Sequence, residues 1–370
     1  MVHSLPNRGQ GNSRNANVFK LIVAVPAAIL IGVLISKIGS LYLDRPYKHL
    51  VFDLTTPDFA IILTTRSGEP LADRKFGVKL TLDPYTLYRN LPDQQTASFT
   101  IDSQGFRIDT PATLPPNTFV VGGSAAFGQG LRAGELPFAA LIDQQSDVFQ
   151  VANASVIGYV SGQELASIVH YLDDFDPDLY VVFDGWNDLF GPFAQIRSWP
   201  APANLVGVQR TFFEVEKRLL AARQGSWTKK EARPRTPVLI DERAFFEAVT
   251  ANYVRNLEKM ADFCRARGAR LVIVFQPELG HKENPSFTEL GQLEHWNRAY
   301  GYLGRGFPES YEKLVETAAA RCEELEIPFV NLLESTTINQ SEETVFLDVV
   351  HLNETGHRMV AEEIMRQLSE

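Results

Sequence analysis

The stretch Thr118-Phe119-Val120-Val121-Gly122-Gly123-Ser124-Ala125-Ala126-Phe127-Gly128 decides how this chain is read. Four residues of β-forming type run into two glycines, and a serine follows where a helix can start. A strand that ends in a Gly-rich turn and opens a helix is the beginning of a βα unit. A serine on such a turn can expose its hydroxyl beside free backbone N–H groups. The same pattern also fits an ordinary turn with a helix-capping serine, so Ser124 alone carries no function.

Downstream the alternation of strand and helix repeats. The pattern predicts a helix over 135–145, a second strand over 148–152, a helix over 162–175 and a third strand over 179–183. The third strand is apolar throughout, as in a sheet covered on both faces. Residues 191–238 read as an insertion with several prolines and a basic run at Lys229 and Lys230. A long helix is expected over 241–267, with Phe245, Val249, Tyr253 and Leu257 at helical spacing and Gly268 as its stop. A fourth strand (271–275), a helix (308–326), a fifth strand (329–333) and a last helix (355–368) follow, with a loop-rich 280–305 region between. Strands alternating with helices imply right-handed crossovers and a parallel sheet. Such sheets bind ligands at the carboxyl ends of their strands.

Upstream the character differs. Residues 44–117 form a small β-rich segment with predicted strands at 50–54, 59–64, 78–82 and 98–101, separated by turn signals such as Ser67-Gly68. Residues 1–20 are a polar tail with Arg8, Arg14 and Lys20. From Leu21 to Ser36 no charge occurs, a helix of ~24 Å against a bilayer core of ~30 Å. Lys37 can snorkel, and Ile38 to Leu43 add apolar length. No A-x-A-like cleavage pattern follows, so residues 21–43 are expected to be a single-pass transmembrane signal anchor. Lys37, Arg45 and Lys48 nearly balance the basic residues before the span. The expected arrangement at the cell membrane is a cytoplasmic tail and an extracytoplasmic main domain.

The chain has 370 residues, of which 45% are hydrophobic and 22% charged, a composition that excludes disorder, collagen-like repeats and many-span membrane proteins. A formal charge of −10 argues against nucleic acid as the partner. Two cysteines cannot make a disulfide scaffold or a four-thiolate zinc site. Cys264 and Cys322 read as two buried thiols on neighbouring helices.

Three further places carry chemistry. After the second strand comes Asn153-Ala154-Ser155-Val156-Ile157-Gly158, where a glycine lets its N–H approach a ligand. After the third comes Asp184-Gly185-Trp186-Asn187-Asp188, where an Asn amide can donate to a developing oxyanion. Before the last helix, Asp348 stands three residues ahead of His351, a spacing that can fix the imidazole tautomer and leave Nε2 as a base. Each also has a plain reading, as a loop glycine, an Asx-turn and an unrelated surface pair. His281 and His295, near Glu283 and Glu294, show no spacing that demands a metal. His357 reads as structural or exposed, and Trp296, Tyr300 and Tyr302 as packing or a sugar-binding wall. Asp184 and Asp188 could pair as acid and base. No phosphate loop or dinucleotide fingerprint is present, and no cofactor is expected. The sequons at Asn153 and Asn353 flank these blocks, where a glycan would obstruct a site, which hints at a bacterial exported protein.

The ordered set resembles the SGNH (GDSL-like) hydrolase family over roughly residues 118–370, interrupted by 191–238. Ser124 matches the nucleophile of its first block and Gly158 the glycine of its second. Asn187 matches the asparagine of a G-x-N-D third block, and Asp348 with His351 the D-x-x-H last block. The first block departs from the family in reading Gly-Gly-Ser where Gly-Asp-Ser is usual, at a position outside the triad. The resemblance implies a flavodoxin-like three-layer α/β/α sandwich with a mostly parallel five-stranded sheet. It also implies a Ser124/His351/Asp348 triad acting through an acyl-enzyme. The oxyanion would be bound by the Ser124 N–H, the Gly158 N–H and the Asn187 amide. The function expected is a membrane-anchored esterase acting on an ester-bearing small molecule or a cell-surface glycan. An O-acyltransferase on an envelope glycan and a non-enzymatic surface-anchored binding or assembly protein are the alternatives.

Overall fold

The computed structural model describes residues 50–53, 60–63, 78–109, 114–195, 242–301 and 306–369. The tail expected over 1–20, the span expected over 21–43 and residues 196–238 of the expected insertion lie outside these. Among the described residues no helix is long and apolar enough to cross a membrane.

The β-rich segment begins with β1 (Leu50–Asp53), β2 (Ala60–Leu63), β3 (Leu80–Asp83) and β4 (Leu87–Asn90). These make an antiparallel sheet in the order β2-β1-β3-β4. Three two-residue strands follow, β5 (Gln94–Gln95), β6 (Thr100–Ile101) and β7 (Arg107–Ile108), and then the five-residue β8 (Thr118–Gly122). β8 is buried along its whole length and leads through Gly123 into a one-turn helix, α1 (Ser124–Phe127). Then come α2 (Phe138–Gln145), β9 (Val151–Asn153) and α3 (Ser161–Ser167), which continues through a π-helical turn and a 3-10 turn to Phe175. β10 (Leu179–Asp184) is again buried throughout, and α4 (Trp186–Gln195) leaves its carboxyl end. Residues 191–195, expected to open the insertion, continue this helix.

After the insertion α5 (Glu242–Arg267) turns Val249, Tyr253, Leu257, Met260 and Cys264 into the core and stops before Gly268. β11 (Arg270–Phe275) follows. The region expected to be loop-rich instead contains α6 (Phe287–Tyr300). Ser286 and Glu289 form a reciprocal capping box at its start, which supplies the N–H partners a helix end lacks. The chain ends with α7 (Phe307–Glu324), β12 (Phe329–Asn331), a short α8 (Thr336–Asn339) and α9 (Glu354–Ser369).

The main sheet has the order β12-β11-β10-β8-β9-β7-β6-β5. Its first five members are parallel, as expected from the alternation. Among the described residues the expected count of five strands is corrected to eight in a mixed sheet: β7 pairs antiparallel with β9 through Arg107 and Asn153, and β6 and β5 extend the edge. Strands of two residues are too short to show a period of two, yet they cover the edge that β9 would otherwise leave open. Numbered among themselves, the parallel strands run 2-1-3-4-5, the doubly wound order whose reversal lies between β8 and β10. Right-handed crossovers in opposite directions along the sheet place helices on opposite faces. Accordingly α2 packs with α9, while α3, α4, α5 and α7 pack with one another.

A second, smaller core joins the β-rich segment to the rest. Val78, Leu80, Tyr88 and Ile101 pack with Phe127 of α1 and with Val156, Ile157 and Tyr159 after β9. The Tyr159 hydroxyl donates to the Tyr88 carbonyl at 2.7 Å, Asn90 Nδ2 to the Ser155 carbonyl at 3.1 Å, and Gln163 Nε2 to the Thr86 carbonyl at 2.8 Å. The segment thus braces the loop that carries Gly158.

Candidate active site

Ser124 is the first residue of α1, held by what surrounds this single turn. Arg107 reaches from β7, buried and paired with Asp109 at 2.7 Å, and its Nη1 donates to the Phe127 and Gly128 carbonyls at 2.9 and 3.1 Å. A cation there satisfies the carbonyls a helix end leaves open. Asn153 Nδ2 donates to the Ala126 carbonyl at 3.1 Å, so the first sequon asparagine is a strut of the site.

The last block folds back onto Ser124. Phe346 and Leu352 form a bridge, the Leu347 N–H donates to the His351 carbonyl at 2.7 Å, and the intervening residues make a tight loop. One Asp348 oxygen accepts the Val350 and His351 N–H groups at 2.9 and 2.8 Å. The other meets His351 Nδ1 at 2.7 Å, and His351 Nε2 lies 2.8 Å from Ser124 Oγ. Burial pushes the Asp348 pKa up, but the His351 charge, its hydrogen bond and the two N–H donors outweigh this and hold the carboxyl below its usual range. With Asp348 ionised, the imidazole carries its proton on Nδ1 and offers Nε2 to the hydroxyl.

The middle blocks meet beside α1. Asn187 stands in the first turn of α4 and donates through Nδ2 to the Tyr159 carbonyl at 2.7 Å. Gly158 has φ +77° in the turn closed by Tyr159 N–H to Val156 O at 3.1 Å, a conformation that suits glycine. The Val156 N–H donates to the Gly122 carbonyl at 3.0 Å. A β-carbon on Gly123 would stand 2.4 Å from Asn187 Nδ2. In this structure a side chain at 123 would require the asparagine amide to shift.

Residues 120–359 match the GDSL-like Lipase/Acylhydrolase family. The chain belongs to that family. As a GDSL-like acylhydrolase it is an ester hydrolase. No curated protein matches it. Similar solved structures include TesA, at 18% identity and a TM-score of 0.40, covering 68% of this chain and 97% of that one. They also include the acetyl xylan esterase AlAXEase, at 14% identity and 0.40, covering 67% and 98%. A third is the acetylxylan esterase Axe2 of Geobacillus stearothermophilus, at 11% and 0.41, covering 69% and 94%.

Behind the third block of this acylhydrolase lie three buried carboxyls: Glu164, Asp184 and Asp188. Asp188 accepts the Ser161 N–H at 2.9 Å and its hydroxyl at 2.6 Å, and Asp184 accepts the Tyr253 hydroxyl. Among the described residues no Lys, Arg or His pairs with them. Burial raises the pKa of all three, and the Asp184 charge raises Glu164 and Asp188 further. Asp184 is pushed up to about 6 and Asp188 to about 7. A carboxyl whose folded pKa exceeds its unfolded value near 4 stabilises the fold fully below pH 4 and loses that contribution as pH rises through the folded value. Asp184→Asn keeps an acceptor for Tyr253 and removes one charge. It should stabilise the protein by about 1–3 kcal/mol at pH 8 and by much less at pH 5. Denaturant melts at both values test this, and an equal effect at both would refute the assignment.

The remaining candidates are structural in geometry. His357 is buried, and its Nδ1 accepts the Phe138 N–H at 3.2 Å. Burial, with the Arg107 and His351 charges, pulls its pKa down to about 3. His281 pairs with the buried Glu278 instead of Glu283, and His295 is exposed. Among the described residues no group of three or more His, Cys, Asp or Glu is placed to hold a metal ion. Trp296 packs against Trp186 and Phe190, with centroids 6.4 and 5.3 Å apart, while Tyr302 and the Tyr300 side chain lie outside the described residues. Cys264 and Cys322 are free and buried.

Three contributors escaped the sequence reading: Arg107, the brace from Tyr88 and Asn90, and Glu289. Of these only Glu289 carries a readable signal, the Ser286-x-x-Glu289 capping box.

Proposed function

We propose that the protein is a membrane-anchored serine esterase that removes O-acyl groups from a cell-surface carbohydrate. The observation that carries the reaction is the continuous relay from Ser124 Oγ to His351 at 2.8 Å and from His351 to Asp348 at 2.7 Å. Ser124 attacks the ester carbonyl while His351 Nε2 takes its proton. The tetrahedral oxyanion is met by the Ser124 N–H, the Gly158 N–H and the Asn187 amide. His351 then protonates the leaving alcohol, and the same imidazole activates a water that hydrolyses the acyl-enzyme. Asp348 orients the ring and stabilises its charged form. The expected anchor at 21–43 supports an envelope polymer as substrate, because it would tether the site beside such polymers.

The test uses the detergent-solubilised full chain and its own cell envelope polysaccharide. Release of acyl groups from that polymer, and of chromophore from a short-chain aryl ester, is expected from pH 6 to 9. Hydrolysis of the aryl ester without release from the polymer would overturn the carbohydrate substrate and leave the esterase.

A further inference from the structure

We propose that Glu289, on the first turn of α6, is a positioning residue for the loop that carries Asp348 and His351. The inference rests on the triad reading above and adds the group that sets its geometry from outside.

The Glu289 carboxylate is fully buried and gathers four donors. One oxygen accepts the Ser286 N–H and Lys282 Nζ, each at 2.7 Å. The other accepts the Val345 and Phe346 N–H groups at 2.9 and 3.0 Å. Lys282 Nζ, also buried, donates in addition to the Glu343 carbonyl. Thr344 Oγ1 donates to Ser286 Oγ at 2.8 Å, and Asn353 Nδ2 to the Thr344 carbonyl at 2.6 Å. Residues 343–346 are thus fixed from one side by Lys282, Ser286 and Glu289. Phe346 bridges Leu352, and Asp348 and His351 lie in the loop between them. No bond runs from Glu289 to a reacting atom; its effect passes through the backbone.

Such a hub fails in a predictable direction. In Glu289→Gln one end of the amide becomes NH2, which cannot accept. The Lys282 ammonium claims the amide oxygen, so the NH2 turns against the Val345 and Phe346 N–H groups. An attraction on the loop becomes a repulsion. A displacement near 1 Å at reacting groups costs about 100-fold in rate.

The expected result is a fall of about 100-fold in kcat on an aryl ester, with KM within about twofold of wild type. The downfield proton resonance of His351 Nδ1–H, identified by its absence in His351→Asn, should broaden or shift with it. With the ammonium gone, the double variant Lys282→Met/Glu289→Gln lets the amide turn its oxygen back to the two N–H groups of Val345 and Phe346 at the cost of the single Ser286 N–H, and should recover about tenfold or more of the lost kcat. A Glu289→Gln protein with wild-type kcat and an unchanged resonance overturns the proposal, and so does a double variant no better than the single. If Glu289→Gln does not fold, Glu289→Asp withdraws the same charge by one carbon and is read by the same two measurements, with a fall of about tenfold. A wild type that shows the resonance but hydrolyses no ester overturns the esterase reading and leaves the positioning inference to the resonance.

Discussion

Ser124→Ala is expected to lower kcat for ester hydrolysis by about 10⁶-fold while the protein stays folded. Among the described residues the hydroxyl bonds to His351 alone, and Ser124 is half-buried, so its removal leaves no buried group in want of a partner. His351→Ala should cost about as much. The double variant should be no worse than either single one, because nucleophile and base act as one unit. Activity with a chromogenic ester and circular dichroism measure the two halves of this expectation. Losses that simply add in the double variant would show that Ser124 and His351 do not share a step.

Asn187→Ala should lower kcat by about 10²–10³-fold with little change in fold. The amide lies where a β-carbon on Gly123 would meet it, and it is tied to the Tyr159 carbonyl. Gly123→Ala tests the same donor from the other side, since the new methyl meets Asn187 Nδ2 and moves the amide without deleting it. A comparable fall in both variants assigns the loss to the amide's position. Normal turnover in Asn187→Ala would remove it from the oxyanion role.

The parallel half of the sheet was legible because its strands are buried on both faces. Leu179 to Phe183 is an unbroken apolar run, and β10 is buried along its whole length. Ser124, Gly158 and Asn187 were legible as residue types after such runs, and Asp348 with His351 as a spaced pair before the last helix; hydrogen bonds join Ser124, His351 and Asp348. What escaped depends on distance in the chain. Arg107 looks like any surface arginine, and nothing local says that it will cap a helix twenty residues on. β5 to β7 are too short to show alternation. α6 was missed for another reason: its exposed residues, such as Phe287 and Leu290, blur the apolar stripe, although its capping box stood in plain sight.

Ser124 and His351 are separated by 227 residues, and the helix after His351 packs on α2. Synthesis runs at about 5–20 residues per second, so tens of seconds pass between the making of Ser124 and the making of His351. During that interval the proposed base does not yet exist. On the proposed mechanism, hydrolysis begins only after the last block is made and the helix that follows it has packed.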